Sequence, residues 1–430
     1  MHKNFRHNEL FKVGSLNSVG VLVKMASGLI VNKLLAIFLA PYGLAMVGNF
    51  RDFVQAILGV STFSIEKGVT KYTADYKNDK QKLSEFISSL LFAAVIFSGI
   101  VGLVVIIGGG YFSQLLFDTP DYQLLFRFLG IVVPFMALQS FLLAIVNGLE
   151  RYKTVVWIGI GCNVVYAILM VYVIQNFQLT GALFGLALVP FLYLMITLFM
   201  IREDWALLLA SSYQHVRRLY LNGLLVYAGM VVFSAVAFPL LYLFIRNHIA
   251  EVLSLADAGY WEAMHRLSVQ YMMFVLSLMT LYLLPKYAEE RTATGFLSWA
   301  GSFYKTVFPF FIIGLVIIFF LKKFLIRLLF TQEFLPMEVL FKWQLLGDLF
   351  RAMAMVLVFQ FHAKRMVWSY ILTDMLLAAS LGLGTVIGIR YFGLEGSAMA
   401  HAVAYLLYFC VIVMVFRRRI VTYWKQRRQA

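Results

Sequence analysis

Charge is scarce in this chain. Asp, Glu, Lys and Arg together make 13% of its 430 residues, about half the share found in ordinary soluble domains. A soluble globular domain is excluded, because 62% of the residues are hydrophobic against roughly 45–50% in that class. Cysteine is nearly absent. Cys162 and Cys410 are the only two and both fall within apolar runs, which leaves no disulfide framework and no cysteine metal site; they read as small apolar packing residues. Long polar intervals are missing as well, so no separate soluble domain is inserted between the apolar runs. There is no phosphate-cradling Gly-Lys-Ser/Thr loop, no pair of metal-binding histidines on one turn and no serine nucleophile elbow. No cofactor or metal is therefore expected. His265, His362 and His401 stand alone in sequence and read as satisfied or interfacial side chains.

What the chain has instead is length of apolar sequence. Residues 86–117 and 154–201 carry no charge at all, whereas a membrane-spanning helix needs about 20 such residues. The mean hydropathy is +0.84. The expected class is an all-α polytopic membrane protein. The basic start (Lys3, Arg6, Lys12) leads into a long apolar segment without a small-residue cleavage site, so the first helix is expected to be retained. Apolar windows and their breakers predict spans at about 13–37, 42–65, 86–110, 122–147, 154–175 and 180–201, then at about 219–245, 257–284, 300–321, 338–361, 367–390 and 395–416. Pro134, Pro190, Pro239 and Pro309 sit inside these spans as fixed kinks or moving hinges. Gly108, Gly109 and Gly110 end a helix.

A shift of 215 residues, half of the 430, lays the second half over the first. Arg51, Val54 and Gln55 fall on Arg266, Val269 and Gln270; Lys71-Tyr72 falls on Lys286-Tyr287; Leu179 and Gly181 fall on Leu394 and Gly396. Because the matches include charges inside apolar segments, the chain reads as two copies of one six-helix unit. Six is even, so the copies run in the same sense about an axis along the membrane normal. The expected division is 1–205, a short polar linker at 206–218, and 219–430.

The formal net charge of +15 raises the question of nucleic acid, and the distribution of the basic residues answers it. Twenty-three Lys and Arg fall in the tails and even-numbered loops, against five (Arg246, Lys322, Lys323, Arg327, Arg390) in the odd-numbered ones. Cytoplasmic loops carry such an excess, which places both termini in the cytoplasm and sets the basic loops against anionic membrane lipid. No nucleic-acid recognition module is present.

A charge at mid-bilayer costs about 2.5–3.5 kcal/mol on insertion scales and normally faces protein or a watery cavity. Lys24, Arg51 with Asp52, Arg266, Asp348 with Arg351, and Asp374 all sit at that depth. Glu262 with Arg266 and Asp348 with Arg351 have the spacing of neighbours on one helical face and can neutralise each other. Arg51 and Asp52, being adjacent, point about 100° apart and are not expected to pair locally. Helices 3, 5, 6 and 9 lack charge through their cores, whereas helices 1, 2, 8 and 10 carry cations. The pattern suggests a cavity lined with positive charge that concentrates an anionic ligand, with Arg offering a fork and Lys a point charge to phosphate oxygens. The candidate binding residues are Lys24, Arg51, Asp52, Arg266 and Arg351; the candidate ion-coupling residues are Asp374 and Asp348.

Four strings, Gly48-Asn49-Phe50-Arg51, Gly68-Val69-Thr70-Lys71-Tyr72, Tyr282-Leu283-Leu284-Pro285 and Trp343-Gln344-Leu345-Leu346-Gly347-Asp348, taken in order, resemble the Wzx-type flippases of bacterial polysaccharide assembly, including the O-antigen and enterobacterial common antigen (lipid III) translocases. The resemblance implies the V-shaped fold of the multidrug/oligosaccharidyl-lipid/polysaccharide exporter superfamily, MATE-like, with two six-helix lobes. It also implies the cargo, an undecaprenyl-pyrophosphate-linked oligosaccharide moved across the bacterial inner membrane toward a polysaccharide polymerase and chain-length regulator, with Arg51 as a head-group contact. The segment 61–66 departs from the pattern of such relatives. Two other classes stay open. An ion-coupled drug or metabolite antiporter of the same fold is kept alive by Asp52 and Asp374, and a membrane polymerase or glycosyltransferase would need a sizeable external loop that is not visible.

Overall fold

The computed structural model describes the backbone of residues 2–202, 218–290, 292, 294–364 and 366–429, and the side chains of 18–426 within those ranges apart from 218–231. Among the described residues the secondary structure is helical throughout, as hydrocarbon demands. With no water to satisfy them, backbone N–H and C=O groups must pair within their own segment. The helices are α1 (His2–Thr62), α2 (Glu66–Tyr76), α3 (Lys80–Ile107), α4 (Gly109–Phe117), α5 (Gln123–Gly148), α6 (Tyr152–Met200), α7 (Arg218–Val252), α8 (Leu255–Leu278), α9 (Leu284–Glu289), α10 (Phe296–Thr306), α11 (Phe308–Phe320), α12 (Lys322–Leu329), α13 (Phe341–Ala363) and α14 (Val367–Gln429). Among the described residues eight stretches are long and apolar enough to cross a membrane, or nine when the bent α10–α11 pair counts as one. This is a multi-pass membrane protein.

Three of these stretches exceed a single crossing. At 1.5 Å per residue, the 61 residues of α1 would run about 90 Å, three times the ~30 Å hydrocarbon core. Each is broken once, at Ala40 (φ 53, ψ −174), at Gln178 (φ 47, ψ −127) and at Gly393 (φ 57, ψ −142). Gln178 and Gly393 are related by the 215-residue shift, and so is their surrounding geometry. A Cβ on Gly396 would overlap the carbonyl oxygen of Gly388, and one on Gly181 the carbonyl oxygen of Val173, the position equivalent to Gly388. At Ala40 the counterpart is Leu255, where α8 begins behind the cap Ser254, whose Oγ accepts the Asp257 N–H at 3.0 Å. The repeat seen in sequence thus recurs in where the helices break.

The chain packs as two compact units, residues 1–39 with 46–240 and residues 40–45 with 241–430. The linker expected at 206–218 lies outside the described residues, save Arg218, which opens α7. In the first unit α3 shows why its sequence is helical and where it faces. Phe92, Ile96, Ile100, Leu103 and Ile107 are exposed along one stripe, available to lipid. Ala94, Ser98 and Gly102 recur every fourth residue on the buried side. Small residues at that interval let backbones approach in membranes: a Cβ on Gly102 would land on the Gly130 carbonyl oxygen of α5. Below this crossing Leu83, Phe86, Ile87 and Leu90 pack with Phe141, Ala144 and Ile145 of α5 and Ile65 and Val69 beside α2.

Two expectations are corrected. Helix α7 does not end near residue 245 but runs to Val252, so Arg246 is no loop cation; it is wholly buried and neutralised within the protein. The stretches 66–76, 109–117 and 322–329, read as loops, are short helices. Their mixed polar and apolar faces escape a search for long apolar windows and suit the membrane interface.

Candidate functional site

In the first unit the second half of α1 is fixed in rotation by its aromatic residues. Phe50 and Phe53 both set their rings edge-on to Phe126 of α5, at 5.8 and 5.4 Å between centroids, and Asn49 Nδ2 donates to the Leu116 carbonyl of α4 at 3.2 Å. That anchoring aims Arg51 and Asp52. Contrary to expectation they do pair: Arg51 Nη2 lies 3.3 Å and Nε 3.4 Å from Asp52 Oδ1. The 100° between their Cα–Cβ directions is overcome by the length of the arginine stem, which wraps back along the helix. Both contacts are long and share a single oxygen, and the Arg51 side chain keeps 29% of its surface exposed against 8% for Asp52. Lys24 is exposed and makes no ion pair among the described residues.

The second unit treats its charges differently. Glu262 of α8 sits between two arginines: Arg246 of α7 donates to Oε2 through Nη2 at 2.6 Å and Nε at 3.1 Å, and Arg266 Nε donates to Oε1 at 2.6 Å. Trp261 covers the Arg246 guanidinium at 5.5 Å. Arg266, named from sequence depth, is therefore 6% exposed and engaged at the four-residue spacing that sequence anticipated.

Asp348, fully buried on α13, collects donors from three helices. Ser268 Oγ donates at 2.7 Å, the hydroxyl of Tyr271 from the same helix α8 also donates, and Gln344 Nε2 donates at 3.3 Å. His401 Nε2 of α14 lies 3.2 Å from Oδ1. Arg351 is the more distant partner at 3.9 Å, with its guanidinium 5.6 Å over the Tyr405 ring and its buried Nε lacking a hydrogen-bond partner among the described residues. The same His401 nitrogen is 3.1 Å from Gln344 Nε2. Bare, it accepts from Gln344; protonated, it donates to Asp348, so one proton changes its partner. Asp374 accepts from Tyr408 Oη at 3.0 Å. Sequence spacing exposed Arg351, three after Asp348, but did not pick out Gln344 on the same helix, nor the roles of His401, Ser268, Tyr271 and Arg246, which arrive from other helices.

A model of the family described as polysaccharide biosynthesis protein matches residues 10–289, well over half of the chain. The chain belongs to the polysaccharide biosynthesis protein family. Among curated relatives it is 28% identical over 422 residues, 95% of this chain and 99% of the relative, to the lipid III flippase of Escherichia coli (strain K12), and equally to that of Shigella flexneri. Among solved structures this family member matches an inward-facing multidrug resistance MATE family transporter of the MOP superfamily (TM-score 0.75, 14% identity, covering 94% of this chain and 96% of that one). It also matches the lipid II flippase MurJ in an inward closed conformation (TM-score 0.71, 14% identity, 95% and 87%). At that identity the likeness establishes the fold alone: this member of the family has an all-helical MATE-like architecture.

Proposed function

We propose that this protein flips an undecaprenyl-pyrophosphate-linked oligosaccharide, a lipid III or O-antigen repeat unit, from the cytoplasmic to the periplasmic leaflet of the bacterial inner membrane by alternating access. It is a transporter, not an enzyme. The observation that carries this reading is the match, along 95% of the chain, to lipid III flippases. The chemistry agrees. A pyrophosphate cannot cross hydrocarbon unaided, because stripping water from a charge costs far more than thermal energy supplies, and the Arg51 side chain stays partly exposed. In this proposal Arg51, with Lys24 and the adjacent Asp52, is the head-group position of the first unit, and Arg351, whose Nε has donor capacity to spare, is a separate candidate binding position of the second. Arg266 serves the frame, held by Glu262. Asp348, with its neighbour His401, and Asp374 are the proposed ion-coupling positions. Twelve spans in two six-helix bundles, both termini in the cytoplasm as the basic loops direct, and delivery to a polysaccharide polymerase and chain-length regulator complete the proposal.

The test is complementation of a flippase-deficient strain. Arg51→Ala should abolish glycan display at the surface with protein level unchanged, and Arg51→Lys, keeping charge without the fork, should restore part of it. Normal display by Arg51→Ala would remove Arg51 from the head-group contact.

A further inference from the structure

Beyond the Ala40 break, Arg51, Gln55, Leu58 and Thr62 of α1 recur at intervals of four, three and four residues, the spacing of one helix face. At 1.5 Å rise, Gln55 lies about 6 Å and Thr62 about 16 Å along the axis from Arg51. The far part of this face opens on a cavity of about 350 Å³ lined by Gln55, Thr62, Ser64, Glu66, Ser234 and Pro239, among others, inside the first compact unit. Small-ligand sites begin at roughly this size. An amide, three hydroxyls and a carboxylate converge there in a chain that is 62% hydrophobic.

The groups are held in place. Ser140 Oγ of α5 donates to Glu66 Oε1 at 3.1 Å, which orients the carboxylate. Thr62 Oγ1 donates to the Leu58 carbonyl at 2.9 Å and accepts the Ser64 N–H at 3.2 Å. Between them Phe63 and Ser64 both take left-handed backbone (φ 49 each), a conformation that non-glycine residues keep only where their surroundings over-determine it. That turn brings Ser64 and Glu66 round to the Gln55 face. The fold itself does not require the acid: at the 215-residue shift Gln55 is matched by Gln270, whereas Glu66 is matched by Leu281 and Ser64 by Met279.

We infer that this cavity is a sugar subsite, receiving the pyrophosphate-proximal sugars of the cargo when its pyrophosphate is at Arg51, with Glu66 as the specificity-determining residue. The inference rests on the flippase reading and deepens it. Along the helix face the order cation, amide, hydroxyls, carboxylate follows the order of the cargo's own groups, phosphate first and sugars after. Glu66 accepts hydrogen bonds from sugar hydroxyls or an acetamido N–H and repels a sugar carboxylate brought against it in a low-dielectric pocket. The subsite therefore takes neutral N-acetylated or hydroxyl-rich sugars next to the pyrophosphate and refuses a uronic acid there.

The experiment reconstitutes the full-length protein in vesicles with two defined undecaprenyl-pyrophosphate glycans, one bearing an N-acetylhexosamine next to the pyrophosphate and the other a uronic acid. The wild type should move the first about a hundredfold faster or more, the scale expected of a close like-charge clash. Glu66→Gln, isosteric and neutral, should shrink that ratio several-fold. Gln55→Leu on the opposite wall should raise the apparent KM for the neutral glycan. An unchanged ratio in Glu66→Gln overturns the subsite. So do equal rates for both glycans in the wild type, a measurement that needs no variant to fold. If the wild type moves neither glycan, the flippase reading itself fails, and that outcome is distinct from the others.

Discussion

Replacing Glu262 by glutamine keeps its volume and deletes the one negative charge shared by two arginines. Arg246 and Glu262 side chains are 0% exposed and Arg266 7%, so water offers little compensation. At an effective dielectric of ~20, unit charges about 4 Å apart attract by ~4 kcal/mol, and the repulsion between the two guanidinium groups at roughly 6–8 Å is ~2–3 kcal/mol. The variant loses both attractions and keeps the repulsion. The glutamine oxygen still accepts a hydrogen bond, so the net cost should fall near the ~3–5 kcal/mol typical of removing one partner from a buried pair. In a unit of about 190 residues that corresponds to a fall in unfolding temperature on the order of 10 °C. Thermal unfolding of the detergent-solubilised protein, followed by tryptophan fluorescence, measures it, with Trp261 stacked on Arg246 as a local reporter. Adding Arg246→Met to Glu262→Gln removes the repulsion and should recover part of the loss. A single variant as stable as the wild type, or a double variant less stable than the single one, would refute the assignment of Glu262 as the shared counter-charge.

Two further outcomes follow from helix packing and capping. Gly102→Val should cost about 1–3 kcal/mol by forcing α3 off α5, while Gly99→Ala, which meets nothing within 4 Å, should be neutral or stabilising, since alanine favours helix by up to ~1 kcal/mol; equal stability of the two variants would argue against the glycine crossing. Asp79 caps α3 by accepting the Lys82 N–H at 3.1 Å, and that bond, with the Lys82 ammonium 3.1 Å away, holds its carboxyl below the usual aspartate range. A lowered folded pKa means that the cap's contribution is complete above the ordinary aspartate value and fades as pH falls through the lowered one. Hydrogen-exchange protection at residues 80–83 should therefore drop on acidification in the wild type and stay level in Asp79→Asn, and pH-independent protection in the wild type would count against an ionic cap.

The helices and their breaks were legible because lipid imposes a single rule, a long apolar run, that each span must meet alone. The repeat was legible for a related reason: Arg51 and Arg266, or Gly181 and Gly396, are too unusual in apolar context to coincide at one shift. The Glu262–Arg266 pair could be read from its four-residue spacing. Arg246 and His401 could not, because their partners lie 16 and 53 residues away and nothing local marks them. The misjudged Arg51–Asp52 pair shows a different limit of spacing rules. They locate Cβ atoms, whereas an arginine head sits several bonds beyond its Cβ and can return toward a neighbour. Short interfacial helices such as α12 went unread because their polar faces interrupt the apolar run by which spans are found.

The repeat also supplies a comparison that the protein performs on itself. Arg51 and Arg266 are equivalent positions, yet their surroundings differ at the residues that face their charge. Glu262 and Arg246, which lock Arg266, are matched at the 215-residue shift by Val47 and Val31, each 1% exposed in the apolar core of the first unit. Asp348, Arg351 and Gln344 are matched by Val133, Met136 and Leu129, all buried apolar residues. One copy of the fold therefore stands on an apolar core and the other on an ionic and hydrogen-bonded one. The two equivalent arginines are held at different strengths: Arg266 meets Glu262 at 2.6 Å, whereas Arg51 meets the adjacent Asp52 at 3.3 and 3.4 Å through one oxygen, so the repeat conserves the cation while varying the tightness of its carboxylate contact.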